Sequence, residues 1–227
     1  MSVVYEILQA KTNLANGYEK HIPFTFFVYN TLMKYIVALG NPGDEYVKTR
    51  HNVGWLCLDY FLEESQLPDP IESKTFSGRV SEGNVLGMEV KILYPNTYMN
   101  NSGSAVVKLV PKKELSQLIV VHDDIDLPFG EIKVVQSRGA GGNKGVQSII
   151  EKLNSKDFIR VRVGIATKNF WTGKIRRPAG GGPLERFVLK PFTTKEQKQL
   201  LEVFEKVKRA IEMVVSEGAE VAMNKCN

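Results

Sequence analysis

The sequence predicts an α/β fold: a single-domain, three-layer α/β/α arrangement around a central mixed, largely parallel sheet. Apolar runs of strand length alternate along the chain with segments of helical periodicity, which is typical of strand–helix–strand units. Two of these runs, at 35–39 and 118–122, are almost continuously apolar, as expected of strands buried on both faces. A chain of 227 residues is long enough for one full core, since folding at this size buries about 70% of the extended surface.

The individual elements follow in order from the same periodicities. Helical spacing of apolar residues predicts helices at 53–64, 103–110 and 144–153. The last helix is the clearest: Thr194 with Gln197 matches a capping box, apolar residues recur at helical spacing to Val214, and Gly218 marks an end. Its lysine-rich side is typical of a solvated face, with RNA contact as the alternative. Strands are predicted at 35–39, 85–94, 118–122, 132–136 and 161–166.

The composition excludes several classes of protein. With 43% hydrophobic and 24% charged residues, the chain is neither disordered nor fibrous. No apolar run approaches the ~20 residues of a membrane-spanning helix. Two cysteines, Cys57 and Cys226, form neither a disulfide framework nor a zinc quartet, which favours a reducing, cytoplasmic location. A net charge of +5 is compatible with nucleic-acid binding but does not require it.

Residues 1–32 do not resemble the rest of the chain. Their apolar patch at 24–29 is too short to span a membrane, and it has neither the basic flank nor the cleavage site of a signal peptide. Met33 directly precedes the first predicted strand, and we expect the native chain to begin there; the alternative is a genuine extension. We therefore predict an N-terminal extension at 1–32 and one folded domain at 33–227. Within that domain, a basic, glycine-rich stretch at 174–182 is predicted to be a mobile loop.

Two polar residues follow the first predicted strand. The turn at 39–43 lacks the G-x-G-x-x-G spacing of a dinucleotide loop, but it puts Asn41 at the carboxyl end of a buried strand, where open sheets bind ligands. His51 comes just before the next helix, whose partial positive charge favours a neutral imidazole that can accept a proton. Asn52 is predicted to cap that helix. The alternative for His51 is an ordinary surface histidine.

A cluster of acids follows the third predicted strand. His122-Asp123-Asp124-Ile125-Asp126 places carboxylates at the carboxyl end of a buried strand. Asp123 is a candidate to orient His51 and to stabilise its charged form, as in a His–Asp pair. Two alternatives stay open: a Mg²⁺ site, and a plain chain reversal that uses the Pro-Phe-Gly sequence at 128–130.

Two further segments carry groups suited to a ligand. The asparagine-rich segment at 96–103 supplies amides that can donate to a carbonyl oxygen, although asparagine equally serves turns and caps, and Ser102 or Asn101 is the predicted cap of the next helix. The glycine-rich segment at 139–145 precedes another helix, whose N-terminus favours anions, and Lys144 adds positive charge. Other cations of the second half, including Arg138 and Arg162, are candidates to clamp phosphates. No serine or cysteine stands in a nucleophile elbow.

Taken together, these motifs resemble the bacterial-type peptidyl-tRNA hydrolase family. The matching stretches run in family order with near-family spacing and lie at 37–43, 49–54, 98–103, 122–128 with Gly130, and 160–165. The resemblance covers residues 33 to about 217. It implies a monomeric, cytoplasmic hydrolase that needs no metal or other cofactor and no protein partner. Such an enzyme cleaves the ester between a peptide and the 3′ ribose of peptidyl-tRNA, and so frees tRNA from chains abandoned by ribosomes.

The resemblance also assigns roles to single residues. It implies that His51 is the catalytic base and Asp123 its partner. Asn41 and Asn100 are implied to hold the peptide and the reacting carbonyl, and either Tyr98 or Tyr46 to wall the cleft. For the tRNA phosphates it implies Arg162, which matches the family's arginine. The family's phosphate-binding lysine has no match, because Val135 stands at its position, but Lys133 lies two residues earlier on the same strand face. The predicted phosphate contacts are Lys133, Arg138 and Arg162.

The glycine-rich segment departs from the family pattern. The family has Gly-Gly-His-Asn-Gly, whereas residues 141–145 read Gly-Gly-Asn-Lys-Gly, so Lys144 stands at the family's functional asparagine. Lysine cannot accept a hydrogen bond, so we expect either Asn143 to take over that role or Lys144 to make a cationic contact with substrate. Activity is expected to survive because His51 and Asp123 remain. The rival interpretations are a non-catalytic RNA-binding relative and a nucleotide-dependent enzyme.

Overall fold

A sheet of eight strands runs through the part of the chain that the structure, a computed structural model, describes, namely residues 33–168, 172 and 174–227. The strands are β1 Lys34–Ala38, β2 Ile71–Ser73, β3 Gly78–Val85, β4 Met88–Pro95, β5 Leu118–Pro128, β6 Ile132–Gln136, β7 Ile159–Lys168 and β8 Ile175–Arg176. Their spatial order is β2-β3-β4-β1-β5-β7-β6, with β8 paired to β7. The predicted extension at 1–32 lies outside the described residues.

The sheet is mixed, and its parallel pairings lie at the centre. Strand β1 pairs in parallel with both β4 and β5, and β5 pairs in parallel with β7. The outer pairings, β2 with β3, β3 with β4, β6 with β7 and β7 with β8, are antiparallel. Parallel strands bring their carboxyl ends to one edge, so the residues that follow β1 and those at the far end of β5 meet there.

Helices cover both faces of the sheet. They are α1 Val53–Glu64, α2 Gly103–Leu109, α3 Lys144–Leu153, α4 Gly182–Val188, α5 Thr194–Gln197, α6 Leu200–Glu217 and α7 Ala219–Cys226. Side chains alternate along β1, so that Ile36 joins the core under α1, α6 and α7, whereas Val37 joins the core under α2 and α3. Each fully buried aliphatic side chain of this kind contributes about 1.5–3 kcal/mol. The predicted three-layer α/β/α fold is confirmed.

The structure corrects several predicted elements. The strand predicted at 85–94 is the hairpin β3–β4, because Leu86 and Gly87 both have positive φ, +52° and +86°, and reverse the chain. Strand β5 continues to Pro128, so the acids at 123–126 lie in the strand and not in a turn. The loop predicted at 174–182 contains the short strand β8 and ends at the start of α4. The capping box is formed by Thr193 and Glu196, one residue earlier than predicted.

Close packing at Gly54 sets the position of α1. A Cβ at this glycine would lie 2.6 Å from the Leu39 carbonyl oxygen and 2.7 Å from that of Val121, so only glycine allows the helix to approach the ends of β1 and β5 this closely. The short 3₁₀ turn Arg50–Asn52, which precedes α1, is thereby brought to the same edge of the sheet. Among the helices in the described ranges, none has the length and apolar character needed to cross a membrane.

Candidate active site

A cavity of about 430 Å³ opens at the edge of the sheet where β1 and β5 end. The structure brings together there every residue that the sequence singled out for catalysis or substrate binding. Those residues are Asn41, Tyr46, His51, Tyr98, Asn100, Asp123, Asn143 and Lys144. They come from segments spread over about half of the chain, so the cavity is assembled by the fold and not by any one motif.

His51 and Asp123 form a buried pair within this cavity. The Nδ1 atom of His51 lies 3.0 Å from Oδ2 of Asp123, and the two side chains are only 13% and 5% exposed. Burial lowers the pKa of His51, but the charge of Asp123 and its hydrogen bonding outweigh burial, and the pKa is raised overall. Lys144 pulls that pKa down and Glu185 pulls it up. With Nδ1 beside the carboxylate, the other ring nitrogen, Nε2, is the one left for chemistry.

Asn143 holds the second oxygen of Asp123. Its Nδ2 donates to Oδ1 of Asp123 at 2.9 Å, while its Oδ1 accepts from the backbone N–H groups of Gly145 and Val146 and so caps α3. Both ends of the amide are therefore engaged. Asn143 links the start of α3 to the carboxylate, and through it to His51, which makes it a positioning group as well as a wall of the cavity.

Two asparagines interlock beside this pair. The side chain of Asn52 accepts from the backbone N–H of Asn41 and donates to its carbonyl oxygen, each at 2.9 Å. The predicted cap is therefore wrong: Asn52 makes no side-chain bond to the N-terminus of α1, because its amide is used up by Asn41. The Oδ1 of Asn41 in turn accepts from the N–H of Met99 at 2.8 Å. This bond leaves the NH₂ group of Asn41 available to a ligand in the cavity.

The asparagine-rich segment forms the opposite wall. Asn100 lies in the 3₁₀ turn Met99–Asn101 and is exposed between the main cavity and an adjoining one of about 280 Å³. Tyr98 is 61% exposed at the rim, and Tyr46 is half-buried. The cap predicted for α2 is wrong: the Ser102 hydroxyl donates to the Met99 carbonyl oxygen, and the first backbone N–H of the helix, that of Gly103, donates to the Ser148 hydroxyl instead.

The acids of β5 each have a cationic partner. Asp124 pairs with Nε of Arg162, and Asp126 lies 2.5 Å from Nη1 of Arg177. Within the described ranges no group of three or more His, Cys, Asp or Glu side chains is arranged to hold a metal ion. The carboxylates that suggested Mg²⁺ in the sequence contact arginines and His51.

The predicted phosphate contacts lie beside the cavity and do not line it. In the antiparallel β6–β7 pairing Lys133 is directly opposite Arg162, so the two side chains share one face of the sheet. Lys133 and Arg138 are exposed. Arg162 reaches Asp124, which lines the cavity, so the cationic face is continuous with the cavity through that pair.

Arg50 is a positioning residue that sequence reasoning missed. Its Nη2 lies 2.7 Å from Oε2 of Glu196, and its Nη1 donates to the carbonyl oxygen of Pro191 at 2.5 Å. Its guanidinium also stacks over the rings of Phe187 and Phe192. Arg50 thereby ties the segment after α4 to the turn that carries His51. Its position next to His51 was the one signal in the sequence, since its partners lie about 140 residues away.

Comparison with known proteins gives a consistent result. The chain matches the model of the peptidyl-tRNA hydrolase family over residues 35–227. The peptidyl-tRNA hydrolase of Syntrophotalea carbinolica is 39% identical over 197 residues, which are 86% of this chain and 97% of that protein. The one from Aquifex aeolicus is 38% identical over 86% of this chain and 96% of its own length. The crystal structure of peptidyl-tRNA hydrolase from Acinetobacter baumannii has a TM-score of 0.75 at 28% identity, over 87% of this chain and 95% of that one.

Proposed function

From the premise that this chain belongs to the peptidyl-tRNA hydrolase family, we propose that it hydrolyses the ester of peptidyl-tRNA by attack of a water molecule that His51 activates. The observation that carries the mechanism is the buried chain of contacts from Asn143 through Asp123 to His51 at the edge of the cavity. This arrangement holds Nδ1 and directs chemistry to Nε2. An ester has a good leaving group, so an activated water suffices and no covalent intermediate is required.

The reaction proceeds in two steps. Neutral His51 takes a proton from water through Nε2 as the water oxygen bonds to the ester carbonyl carbon, and Asp123 stabilises the imidazolium that forms. The tetrahedral intermediate then expels the 3′ oxygen of the terminal ribose, which receives the proton from His51. The products are a peptide carboxylic acid and tRNA with a free 3′ hydroxyl. General base catalysis of this kind contributes about 10²–10⁴-fold.

Asparagine amides are suited to stabilise the developing oxyanion. The NH₂ groups of Asn41 and Asn100 are donors without charge, and both residues line the cavity. One well-placed donor of this kind contributes roughly 3 kcal/mol to transition-state stabilisation. Because Asn41 is held by Met99 and Asn52, its donor needs little reorganisation when substrate binds.

The tRNA arm of the substrate is assigned to the cationic face beside the cavity. Lys133, Arg138 and Arg162 are candidates to contact phosphates, which position a nucleic acid without reading its sequence. We further propose that the enzyme works as a monomer without an obligatory protein partner, as the resemblance to the family implies. The substrate, which ribosomes release, further indicates action in the cytoplasm.

The proposal is tested by the release of N-acetyl-aminoacyl groups from tRNA. His51→Ala should lower kcat by about 10²–10⁴-fold while the Kd for tRNA stays near that of the wild type. Asp123→Asn should lower kcat without unfolding the chain. Asp69→Asn is the matched control, since this exposed carboxylate precedes β2 at the opposite edge of the sheet, and it should leave kcat unchanged. A wild type that binds tRNA but cleaves no faster than His51→Ala would favour a non-catalytic RNA-binding protein.

A further inference from the structure

Two of the charged side chains that line the cavity have no partner among the residues the structure describes. Asp123 is paired with His51, Asp124 with Arg162 and Arg177 with Asp126. Lys144 and Glu185 line the same cavity, yet neither side chain makes an ion pair or a hydrogen bond within the described ranges. Lys144 is positive and Glu185 is negative, and each places its charge at the wall of the cavity.

The two residues reach the cavity from different helices. Lys144 is the first residue of α3, and Glu185 lies in the first turn of α4. A cation at a helix N-terminus opposes the helix dipole, and α3 has no acidic residue in its first turn to offset it. Helix stability therefore does not explain a lysine at 144. A residue that violates a local rule beside a functional site is expected to serve the site.

Both charges act on His51, with opposite signs. Lys144 lowers the pKa of His51 and Glu185 raises it, in addition to the larger effects of burial and of Asp123. The other charge next to His51 is Arg50 on its own turn, which is neutralised by Glu196. The charged groups that line the cavity and act on the imidazole are thus Asp123 from β5, Lys144 from α3 and Glu185 from α4.

We propose that Lys144 and Glu185 are opposed positioning residues that together set the fraction of His51 in its neutral, proton-accepting form. This inference rests on the proposed role of His51 as the base. Asp123 alone, 3.0 Å from the ring, favours the charged imidazolium, which cannot accept a proton. The positive charge of Lys144 disfavours the imidazolium and so favours neutral His51. The negative charge of Glu185 favours the imidazolium and so partly offsets the effect of Lys144. Asp123 can therefore stabilise the imidazolium of the transition state without trapping the resting enzyme in that form.

Paired neutralising variants test this inference. Lys144→Gln removes the cation, so the acid limb of the kcat/KM profile should move to higher pH. Glu185→Gln removes the anion, so the same limb should move to lower pH, and the double variant should lie between them. Lys144→Arg keeps the charge and should keep the wild-type limb. Lys152→Gln is the matched control, because Lys152 is exposed on the same helix near its other end, and it should leave the profile unchanged.

A titration of the substrate-free protein separates this inference from the proposed function. With histidine labelled for NMR and the His51 signal assigned from the His51→Ala spectrum, Lys144→Gln should raise the pH midpoint of His51 and Glu185→Gln should lower it. If the midpoints shift as expected but the wild type cleaves no ester, the proposed function fails and the charge effect stands. If the midpoints do not move, or move in one direction, the inference is overturned. A rise in KM alone would also overturn it and would make Lys144 a substrate contact.

Discussion

Asn143 offers the sharpest separation between stability and catalysis, because its two ends do different things. Its Oδ1 caps α3 through two backbone N–H groups, and its Nδ2 holds Asp123. Serine is as good an N-cap as asparagine, but its hydroxyl is too short to replace the amide donor at Asp123. Asn143→Ser therefore removes the catalytic contact and keeps the cap, whereas Asn143→Ala removes both.

The magnitudes follow from these contacts. A hydrogen bond to a charged group contributes about 1.5–3 kcal/mol. If losing the bond that aligns Asp123 with His51 raises the activation free energy by about 1.5 kcal/mol, the lower end of that range, kcat falls roughly tenfold. We expect this loss in both variants. Loss of the cap costs about 1 kcal/mol, which for a chain of this size lowers the Tm by roughly 2–4 °C, and we expect that fall in Asn143→Ala alone.

Two measurements check this: single-turnover hydrolysis of N-acetyl-aminoacyl-tRNA with saturating enzyme, and thermal unfolding followed by circular dichroism. Asn143→Asp adds a third test, because aspartate keeps the cap but sets a second carboxylate against Asp123. The added negative charge should raise the pKa of His51 and move the acid limb of the rate profile to higher pH. If Asn143→Ser cleaves at the wild-type rate with a wild-type profile, Asn143 is only a helix cap and the reasoning is refuted.

Three further predictions concern stability. Arg50→Met leaves Glu196 buried without its cation, and because such a loss costs about 3–5 kcal/mol, urea denaturation should show a lower unfolding free energy; an unchanged midpoint would contradict this. Burial lowers the pKa of His122 to about 4, so between pH 6.5 and 4 the unfolded chain carries a proton on His122 that the folded chain lacks. The free energy of unfolding should therefore fall by about 3 kcal/mol as the pH is lowered through that window, and by less in His122→Gln. Gly103→Ala puts a Cβ 2.2 Å from a backbone oxygen of α3 and should lower the Tm, whereas Gly139→Ala meets no atom within 4 Å and should not.

The sequence was sufficient to predict the central helices and strands, but not the turn where a residue other than glycine takes a rare backbone conformation. The helices Val53–Glu64 and Lys144–Leu153 have the bounds that apolar spacing predicted, and β6 does as well. The hairpin between β3 and β4 was missed because its turn puts Leu86 at φ +52°. Turns with two positive φ values normally carry Asn, Asp or Gly at both positions. A leucine there hides the turn inside an apparently continuous strand.

The residues of the candidate site could be found from the sequence, but their connections could not. Asn41 follows β1 and Asp123 lies in β5, and the parallel pairing of these two strands brings both to one edge, where the turn before α1 adds His51. Which group bonds to which depends on a few tenths of an ångström. Asn52 has the position of a helix cap, yet its amide bonds to the backbone of Asn41. No local pattern distinguishes these two outcomes.

The interlocked amides explain why asparagine suits this site better than aspartate. An amide both donates and accepts, so one side chain can satisfy a backbone N–H at one end and a carboxylate or a substrate carbonyl at the other. Asn143 does this between α3 and Asp123, and Asn52 bonds in a similar way to the backbone N–H and the backbone carbonyl oxygen of Asn41. A carboxylate at any of these positions would add negative charge near His51 and favour its protonated form. Beside a buried carboxylate that assists a neutral base, an uncharged amide supplies polar contacts without adding to the negative charge on that base.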